Sequence, residues 1–465
     1  MKEQFCKAYD FRGEYGKDFN LKDVYRLGWF LSRILRERCG APTNRPLRIL
    51  VGRDARKSSK EIQDKLCEGL ADAGCEVDFL DVTTTPSVYF LTATGKYDGS
   101  VQITASHNPS KDNGMKVSCY GGKPVSKDGG LEDLTALVNS KEKTKKCKTP
   151  KKPNRVTCKK EFVAWLRKWA GDFSNLRIAV DCLNGATGTL ARDLFGKDTI
   201  YLNTKANGDF PCVAPNPLYE DCRRNMVNLV LKKGLDAGLI FDGDGDRVGF
   251  IDETGDFIQP DLMIPIIAQF FLKKEPNAKV IYDVRTSRGI EDALKAAGAK
   301  VVMGKVGHVH AKDLLRKKKA VCGGELAGHY YFRDFFHCDS AELAALLILN
   351  AIAEAKRKKI SFSKMMAPIR EYANSGECNF CVSDKKKATA AMLEAAAKTF
   401  GKPKKSLEID GIRLDYDEGW FCIRESNTEP YLRLIVETRT MTLFSKYMLP
   451  LVKALAPFIL PDPKH

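Results

Sequence analysis

One pattern recurs along this 465-residue chain: a short apolar segment ends in a polar or glycine-rich turn, and helix-like sequence follows. The pattern occurs at 47–51, at 177–181 and at 279–283. A buried strand followed by a helix is the repeating unit of layered α/β domains. The sequence therefore predicts three successive α/β domains with parallel or mixed sheets.

The C-terminal part of the chain has a different pattern. After about residue 368, a lysine- and alanine-rich helical segment precedes short strand-like runs at 411–414, 420–424 and 432–437, which indicates an α+β domain. The lysine-rich segment 138–156 has almost no apolar side chains and predicts an exposed connection after the first domain. The predicted domains are residues 1–150, 151–256, 257–368 and 369–465.

The net charge of +17, from 76 Lys and Arg against 59 Asp and Glu, could indicate nucleic acid or anionic substrates as partners. The lysine clusters lack the interleaved aromatic residues of a strand-binding groove, so we expect a solvated surface and no nucleic acid. No apolar run approaches the roughly 20 residues of a membrane span, and the N-terminus lacks a secretory pattern. We therefore expect a cytoplasmic protein without membrane contact.

Three aspartates, Asp242, Asp244 and Asp246, alternate with glycines directly after the apolar segment 238–241. Oxygen ligands in this arrangement suit magnesium or calcium, and carboxylates so close together repel one another unless a cation is bound. An EF-hand is the alternative metal site, but it requires glycine where Arg247 stands, and the flanking residues are strand-like. A solvated acidic turn is the other alternative.

A polar turn around Ser106 follows the strand-like segment 100–103. Pro109 prevents helix continuation, and the small residues of the turn expose a hydroxyl that could accept a phosphoryl group. The neighbouring His107 does not make a catalytic triad, because a triad requires proximity in space. By itself this composition is also that of an ordinary loop.

Two further polar turns carry groups that could bind a ligand. The glycine-rich segment 322–329 offers one carboxylate and one imidazole, and the carboxylate could accept hydrogen bonds from vicinal sugar hydroxyls. The turn at 424–430 offers a guanidinium, hydroxyls and an amide, which suit a phosphate dianion. Ordinary exposed turns remain the alternative for both. The residues concerned are Glu325, His329, Arg424, Ser426, Asn427 and Thr428.

In this order, the four turns resemble the phosphoserine, metal, sugar-binding and phosphate-binding loops of the α-D-phosphohexomutase family, phosphomannomutase/phosphoglucomutase type. The stretches 9–13, 51–59, 112–116 and 215–217 also agree with that family, so the resemblance covers nearly the whole chain. It implies three related α/β domains with mixed sheets and a C-terminal α+β domain, arranged around a central active-site cleft.

The resemblance also implies an activity, which is the interconversion of hexose 1-phosphate and hexose 6-phosphate. A phosphoserine at Ser106 and a hexose 1,6-bisphosphate intermediate, which also serves as activator, would carry the phosphoryl group. Mg²⁺ would be held by the phosphorylated serine and the three aspartates. The resemblance points to Lys116, Arg12 and His329 as the groups that manage protons, without ranking them, and places Arg247 against the substrate. We expect a monomer or a weak homodimer.

The substrate, a small phosphosugar, would be bound by residues from all four domains. The asparagine at 427 favours mannose and glucose phosphates over glucosamine phosphate. Ala327 replaces the more usual serine of the sugar loop, and losing that hydroxyl costs about 0.5–1.5 kcal/mol, which leaves the choice between mannose and glucose open. A phosphatase is the nearest alternative enzyme, although it would normally use an aspartate nucleophile. The implied substrate-binding residues are Tyr9, Arg285, His308, Glu325, Ala327, Arg424, Ser426, Asn427 and Thr428.

Overall fold

Four β-sheets organise the computed structural model, which describes residues 1–211, 214–426 and 431–461. The first sheet has the order β1-β5-β4-β2-β3-β6, and helices cover its strands. Strands β2, β3 and β4 run parallel, and β5 runs antiparallel to β4. The elements are β1 (Phe11–Glu14), α1 (Leu21–Cys39), β2 (Arg48–Arg53), α2 (Ser59–Asp72), β3 (Glu76–Val82), α3 (Thr85–Thr94), β4 (Gly99–Ile103), β5 (Asp112–Cys119), α4 (Glu132–Asn139) and β6 (Asn154–Arg155).

The second sheet has five strands in the order β11-β10-β9-β7-β8. Its strand β7 is buried along its whole length, which agrees with the continuous apolar run in the sequence because a central parallel strand is covered on both faces. The elements are α5 (Lys159–Arg167), β7 (Ile178–Asp181), α6 (Ala191–Phe195), β8 (Ile200–Leu202), α7 (Glu220–Lys233), β9 (Ala237–Phe241), β10 (Val248–Asp252) and β11 (Phe257–Ile258).

The third sheet also has five strands, in the order β13-β12-β14-β15-β16. Its longest helix, α11, is largely apolar and packs in the interior between the second and third sheets. The elements are α8 (Ile264–Leu272), β12 (Lys279–Asp283), α9 (Arg288–Ala296), β13 (Lys300–Gly304), α10 (His308–Lys318), β14 (Cys322–Gly324), β15 (Tyr330–Phe332), β16 (Cys338–Asp339), α11 (Ala341–Arg357) and α12 (Phe362–Met366).

The first three sheets share one topology. In each, the first strand of the α/β unit (β2, β7 or β12) lies between two parallel neighbours, and an antiparallel strand continues the sheet on one side. The expectation of three related α/β domains with mixed sheets is therefore confirmed. The second and third sheets share one continuous core, whereas the first sheet has its own.

The fourth sheet is antiparallel throughout and lies under two helices, as expected for an α+β domain. Strand β22 pairs with three others, and Trp420 on β21 is fully buried. The elements are β17 (Ala373–Asn374), β18 (Cys378–Cys381), α13 (Lys385–Phe400), β19 (Lys405–Leu407), β20 (Ile412–Asp415), β21 (Gly419–Glu425), β22 (Tyr431–Thr438) and α14 (Met441–Leu455).

The lysine-rich connection is mostly exposed and irregular, as its composition predicts, but it is tied to the first domain by hydrogen bonds. Arg26 on α1 donates hydrogen bonds to the carbonyl oxygens of Leu137, Val138, Ser140 and Glu142. The connection then adds β6 to the first sheet, just past the predicted boundary at 150, and β11 pairs with the second sheet just past 256. The boundaries themselves stay a prediction. Within the described ranges, every helix is too short or too polar to cross a membrane.

Candidate active site

Ser106 lies where β4 ends, in a backbone conformation that few side-chain-bearing residues adopt. Its φ of 51° falls in the left-handed region, which is strained for most residues other than glycine. Its backbone N–H donates to Thr104 Oγ1 at 2.8 Å, which helps to hold the turn. The Ser106 hydroxyl is buried and donates to Asp242 Oδ2 at 2.8 Å. The turn therefore aims the hydroxyl at the acidic loop of the second sheet.

Arg56 stabilises the Ser106 turn through hydrogen bonds to its backbone. Its fully buried guanidinium donates to the carbonyl oxygens of Ser106 at 2.9 Å, Asn108 at 2.8 Å, Pro109 at 2.5 Å and Asp112 at 2.9 Å. Asp54 balances the buried charge through a contact of 3.0 Å to Nε. A planar guanidinium with five donors can satisfy this many acceptors at once, whereas an ammonium group cannot.

Replacing Arg56 by methionine should open the Ser106 turn. The change leaves the buried Asp54 carboxylate without its counter-ion, which costs about 3–5 kcal/mol, and removes a donor from four carbonyl oxygens of the turn. Amide hydrogen exchange should show that loss of protection in residues 104–112. The matched control is Lys57→Met, since Lys57 is exposed and adjacent; it should change protection by less than about 0.5 kcal/mol. Equal protection in both variants would contradict the role given to Arg56.

The three aspartates of the second sheet converge in the turn between β9 and β10. One carboxylate oxygen from each of Asp242, Asp244 and Asp246 lies within 4.8 Å of the others, and all three residues are buried. Burial and the two neighbouring carboxylates raise the pKa of Asp242 well above its usual range. Oδ1 of Asp244 and Oδ1 of Asp246 are buried and accept no hydrogen bond. This donor set fits a hard divalent cation, because buried carboxylate oxygens need a partner.

Lys116 and Thr85 contact the same carboxylates. Lys116 Nζ lies 2.6 Å from Asp244 Oδ2 and also forms an ion pair with Asp246. Burial lowers the pKa of Lys116, but the carboxylates of Asp244 and Asp246 outweigh it and raise the pKa above the usual range. Thr85 Oγ1 donates to Asp244 Oδ2 at 2.5 Å. In this arrangement Lys116 is an ammonium group that balances the acidic cluster.

His329 lies between the Asp339 carboxylate and the Arg247 guanidinium. Its Nδ1 is 2.9 Å from Asp339 Oδ2, and its Nε2 accepts a hydrogen bond of 2.9 Å from Nε of Arg247. Since Arg247 can only donate, these contacts select the tautomer with the proton on Nδ1. Lys312 Nζ lies 2.7 Å from Asp339 Oδ1, and both side chains are fully buried. A chain of contacts therefore runs from Lys312 through Asp339 and His329 to Arg247, which directly follows the acidic loop.

Arg12 and Tyr9, which belong to the first domain, are predicted to manage protons and to bind substrate, and both lie at this site. Arg12 Nη2 contacts Asp10 at 2.5 Å, and Nη1 donates to Asn108 at 3.2 Å, beside the Ser106 turn. Tyr9 donates to the carbonyl oxygen of Val306 at 3.0 Å. Its ring meets that of His308 edge-on at 5.7 Å. The first and third domains are thus joined across the site.

The predicted sugar and phosphate residues of the third and fourth domains form a second cluster. Arg285 is held by Asp283 at 2.7 Å and lies 3.6 Å from Glu325. Arg424 contacts Asp410 at 3.0 Å. Both arginines also reach one carboxylate, that of Glu377, at 3.4 Å and 3.3 Å.

The remaining predicted residues surround that cluster. Ala327 is half-buried, on the loop between Glu325 and His329. Ser426 is buried directly after β21, and its backbone N–H donates to the carbonyl oxygen of Tyr431 at 3.0 Å. Asn427 and Thr428 lie outside the described residues. The sequence-based reasoning did not single out Arg56, Asp339, Lys312 or Glu377. Only Arg56 had a signal in the sequence, the stretch 51–59 that resembles the family; the other three are recognised by their contacts alone.

Comparison with known sequence families identifies all four parts of the chain. The families described as phosphoglucomutase/phosphomannomutase, alpha/beta/alpha domains I, II and III, match residues 3–145, 161–255 and 259–372. The C-terminal domain of the same family matches residues 377–447. The chain belongs to the phosphoglucomutase/phosphomannomutase family. It is accordingly an isomerase, a mutase acting on hexose phosphates.

Individual relatives of the phosphoglucomutase/phosphomannomutase family agree. A phosphomannomutase from Vibrio cholerae is 37% identical over 454 residues, covering 94% of this chain and 95% of the relative. A phosphomannomutase from Methanocaldococcus jannaschii is 34% identical over 439 residues, covering 93% of each. Among solved structures, a phosphoglucomutase/phosphomannomutase family protein from Burkholderia thailandensis superposes with a TM-score of 0.84 at 25% identity, covering 98% of each chain. The family resemblance of the sequence is therefore confirmed.

Proposed function

We propose that this enzyme interconverts the 1- and 6-phosphates of mannose or glucose through a phosphoserine at Ser106 and a hexose 1,6-bisphosphate intermediate. The observation that carries the proposal is the contact of 2.8 Å between the Ser106 hydroxyl and Asp242. It places a strained, buried serine against three carboxylates with two unsatisfied oxygens. Phosphoryl transfer depends on positioning the reacting oxygen beside groups that neutralise charge, and a hydroxyl next to a cation site meets both needs.

Asp242, Asp244 and Asp246 would hold Mg²⁺, and Ser106 would contribute an oxygen of its phosphate. When bound, the cation neutralises charge on the phosphoryl group in transfer. The bond from phosphorus to Ser106 Oγ breaks as a bond from phosphorus to a sugar hydroxyl oxygen forms. The sugar hydroxyl gives up its proton and Ser106 Oγ takes one up, which regenerates the serine hydroxyl. Lys116 contacts Asp244, and Arg12 contacts Asn108 beside the Ser106 turn. Both would stabilise the charge of the transferred group.

The sugar hydroxyl must lose a proton as it attacks. Of the three candidate groups, His329 alone carries a nitrogen lone pair, at Nε2, where it accepts a hydrogen bond from Arg247 Nε in this structure. Lys116 is an ammonium group paired with Asp246, and Arg12 is a guanidinium group paired with Asp10, so neither can accept a proton. We therefore assign proton transfer to His329 Nε2, and Arg247 Nε would move from this nitrogen to the substrate.

The bisphosphate must then reorient within the site so that its other phosphate can return to Ser106. The phosphate that is not reacting needs a site that accepts either end of the sugar. Arg424 and Ser426, with the neighbouring Asn427 and Thr428, are proposed for that site, since a guanidinium and hydroxyls suit phosphate. Glu325, His308 and Arg285 would bind sugar hydroxyls, with Tyr9 and Ala327 completing the pocket.

The proposal is tested by the reaction itself. Purified enzyme with Mg²⁺ and catalytic glucose 1,6-bisphosphate should convert glucose 1-phosphate to glucose 6-phosphate, and mannose 1-phosphate likewise. Bisphosphate labelled with ³²P should pass its label to the protein and then to product. Turnover that needs no bisphosphate and releases inorganic phosphate would indicate a phosphatase and contradict the proposal.

Asp339→Asn should lower kcat on the order of a hundredfold with little change in KM, because an amide no longer fixes the Nδ1 proton of His329. NMR of ¹⁵N-labelled histidine should show His329 as a mixture of tautomers. The matched control is Asp334→Asn, because Asp334 is exposed and pairs only locally with Arg333 at 2.9 Å; it should retain wild-type kcat. An unchanged kcat in Asp339→Asn would remove Asp339 as a positioning residue.

A further inference from the structure

Glu377 is the shared partner of three arginines. Its Oε2 lies 3.4 Å from Nη1 of Arg285 and 3.3 Å from Nη1 of Arg424, and its Oε1 lies 3.6 Å from Nη1 of Arg433. The side chain of Glu377 is 17% exposed. Arg285 belongs to the third domain, whereas Arg424 and Glu377 belong to the fourth. A single carboxylate therefore bridges two domains where a phosphate group would also find two guanidinium groups.

The contacts of Glu377 are the weaker ones in this cluster. Arg285 is fixed by Asp283, which accepts from its Nη2 at 2.7 Å and from its Nε at 3.1 Å. Arg424 is fixed by Asp410 at 3.0 Å, and Asp410 is itself held by the backbone N–H of Val306 at 3.1 Å. Each arginine would thus keep its position if Glu377 withdrew. Removing Glu377 frees one N–H group on each.

The backbone around Glu377 is held by other residues. Asn374 Oδ1 accepts from the N–H of Gly376 at 2.7 Å, and Ser375 Oγ accepts from the N–H of Val436 at 2.9 Å. Gly376 supplies a φ of 63°, which glycine adopts without strain. The side chain of Glu377 can therefore change partners without unfolding its loop.

We propose that Glu377 competes with the non-reacting phosphate of the substrate for Arg424 and the adjacent Arg285, and that it thereby lowers the enzyme's affinity for phosphosugars. The inference rests on the proposed phosphate site at Arg424. A carboxylate and a phosphate both accept hydrogen bonds from a guanidinium, and the phosphate carries more charge. Binding exchanges one anion for the other, and the return of Glu377 assists release. The bisphosphate must release its phosphate from this site in order to reorient, and a competing carboxylate prevents the phosphate from binding too tightly.

The test measures binding of glucose 6-phosphate by calorimetry in the Ser106→Ala background, where turnover cannot interfere. Glu377→Gln retains the shape of the side chain and removes its charge, and it should tighten Kd about tenfold, corresponding to ~1.4 kcal/mol. In otherwise wild-type enzyme it should lower KM and slow product release. The matched control is Glu418→Gln, which removes the same charge from an exposed turn at the far end of β21, about 20 Å along the strand; its Kd should not change.

Three outcomes decide the inference. A tighter Kd in Glu377→Gln, with the gain abolished by adding Arg424→Gln, supports it. An equal or weaker Kd in Glu377→Gln, while Arg424→Gln alone weakens binding, overturns the inference and leaves the phosphate site intact. Unchanged binding in Arg424→Gln alone overturns both the inference and the proposed phosphate site.

Discussion

Ser106→Ala is expected to reduce mutase turnover at least about a thousandfold, because it removes the only atom proposed to carry the phosphoryl group. The methyl side chain still fits the buried turn, so the fold should be retained. The variant should bind glucose 6-phosphate with an affinity near that of the wild type, since the proposed phosphate and sugar contacts lie elsewhere. Coupled assays of both reaction directions measure the loss, and intact-protein mass spectrometry shows whether the phosphoryl group is absent.

The matched control is Ser110→Ala, in the same loop. Ser110 is exposed, and its alanine variant should retain wild-type kcat and accept one phosphoryl group from glucose 1,6-bisphosphate. If Ser106→Ala were fully active, or if Ser110→Ala lost its phosphoryl group, Ser106 would not be the carrier.

The residues that sequence analysis could identify are those whose role depends on a local pattern. Asp242, Asp244 and Asp246 follow directly on a buried strand, and Ser106 follows another. The ends of such strands gather at one edge of an α/β sheet, so a polar turn there predicts a site. The α+β character of the last domain was equally visible, because hairpin strands are short and their turns polar.

The residues that sequence analysis missed act through contacts between distant parts of the chain. Glu377 is 92 positions from Arg285, and Lys312 reaches Asp339 from a different element of the third domain. A buried lysine or an ordinary glutamate has no local pattern that marks it. The exposure of the lysine-rich connection was predicted from its composition, but its hydrogen bonds to Arg26 were not, because they depend on where α1 lies.

The second large effect is expected at the acidic loop. Asp244→Asn keeps the size of the side chain but replaces Oδ1 or Oδ2 by an amide nitrogen, which cannot ligate a hard cation. One of the two unsatisfied oxygens belongs to this residue, so we expect Mg²⁺ affinity to fall on the order of a hundredfold and turnover at limiting Mg²⁺ to fall in proportion. Chelation of Mg²⁺ from the wild type should abolish turnover reversibly.

Binding can be measured apart from turnover. Because a cation that binds only the folded state stabilises it, Mg²⁺ at about 100 times its Kd should add roughly 2.7 kcal/mol and raise the melting temperature of the wild type. Asp244→Asn should lose most of this rise. Asp256→Asn, which removes an exposed carboxylate from the turn after β10, should keep it. If Mg²⁺ raised the melting temperature of Asp244→Asn as much as that of the wild type, Asp244 would not be a ligand, and the unsatisfied oxygen would need another partner, for which Lys116 is the nearest cation.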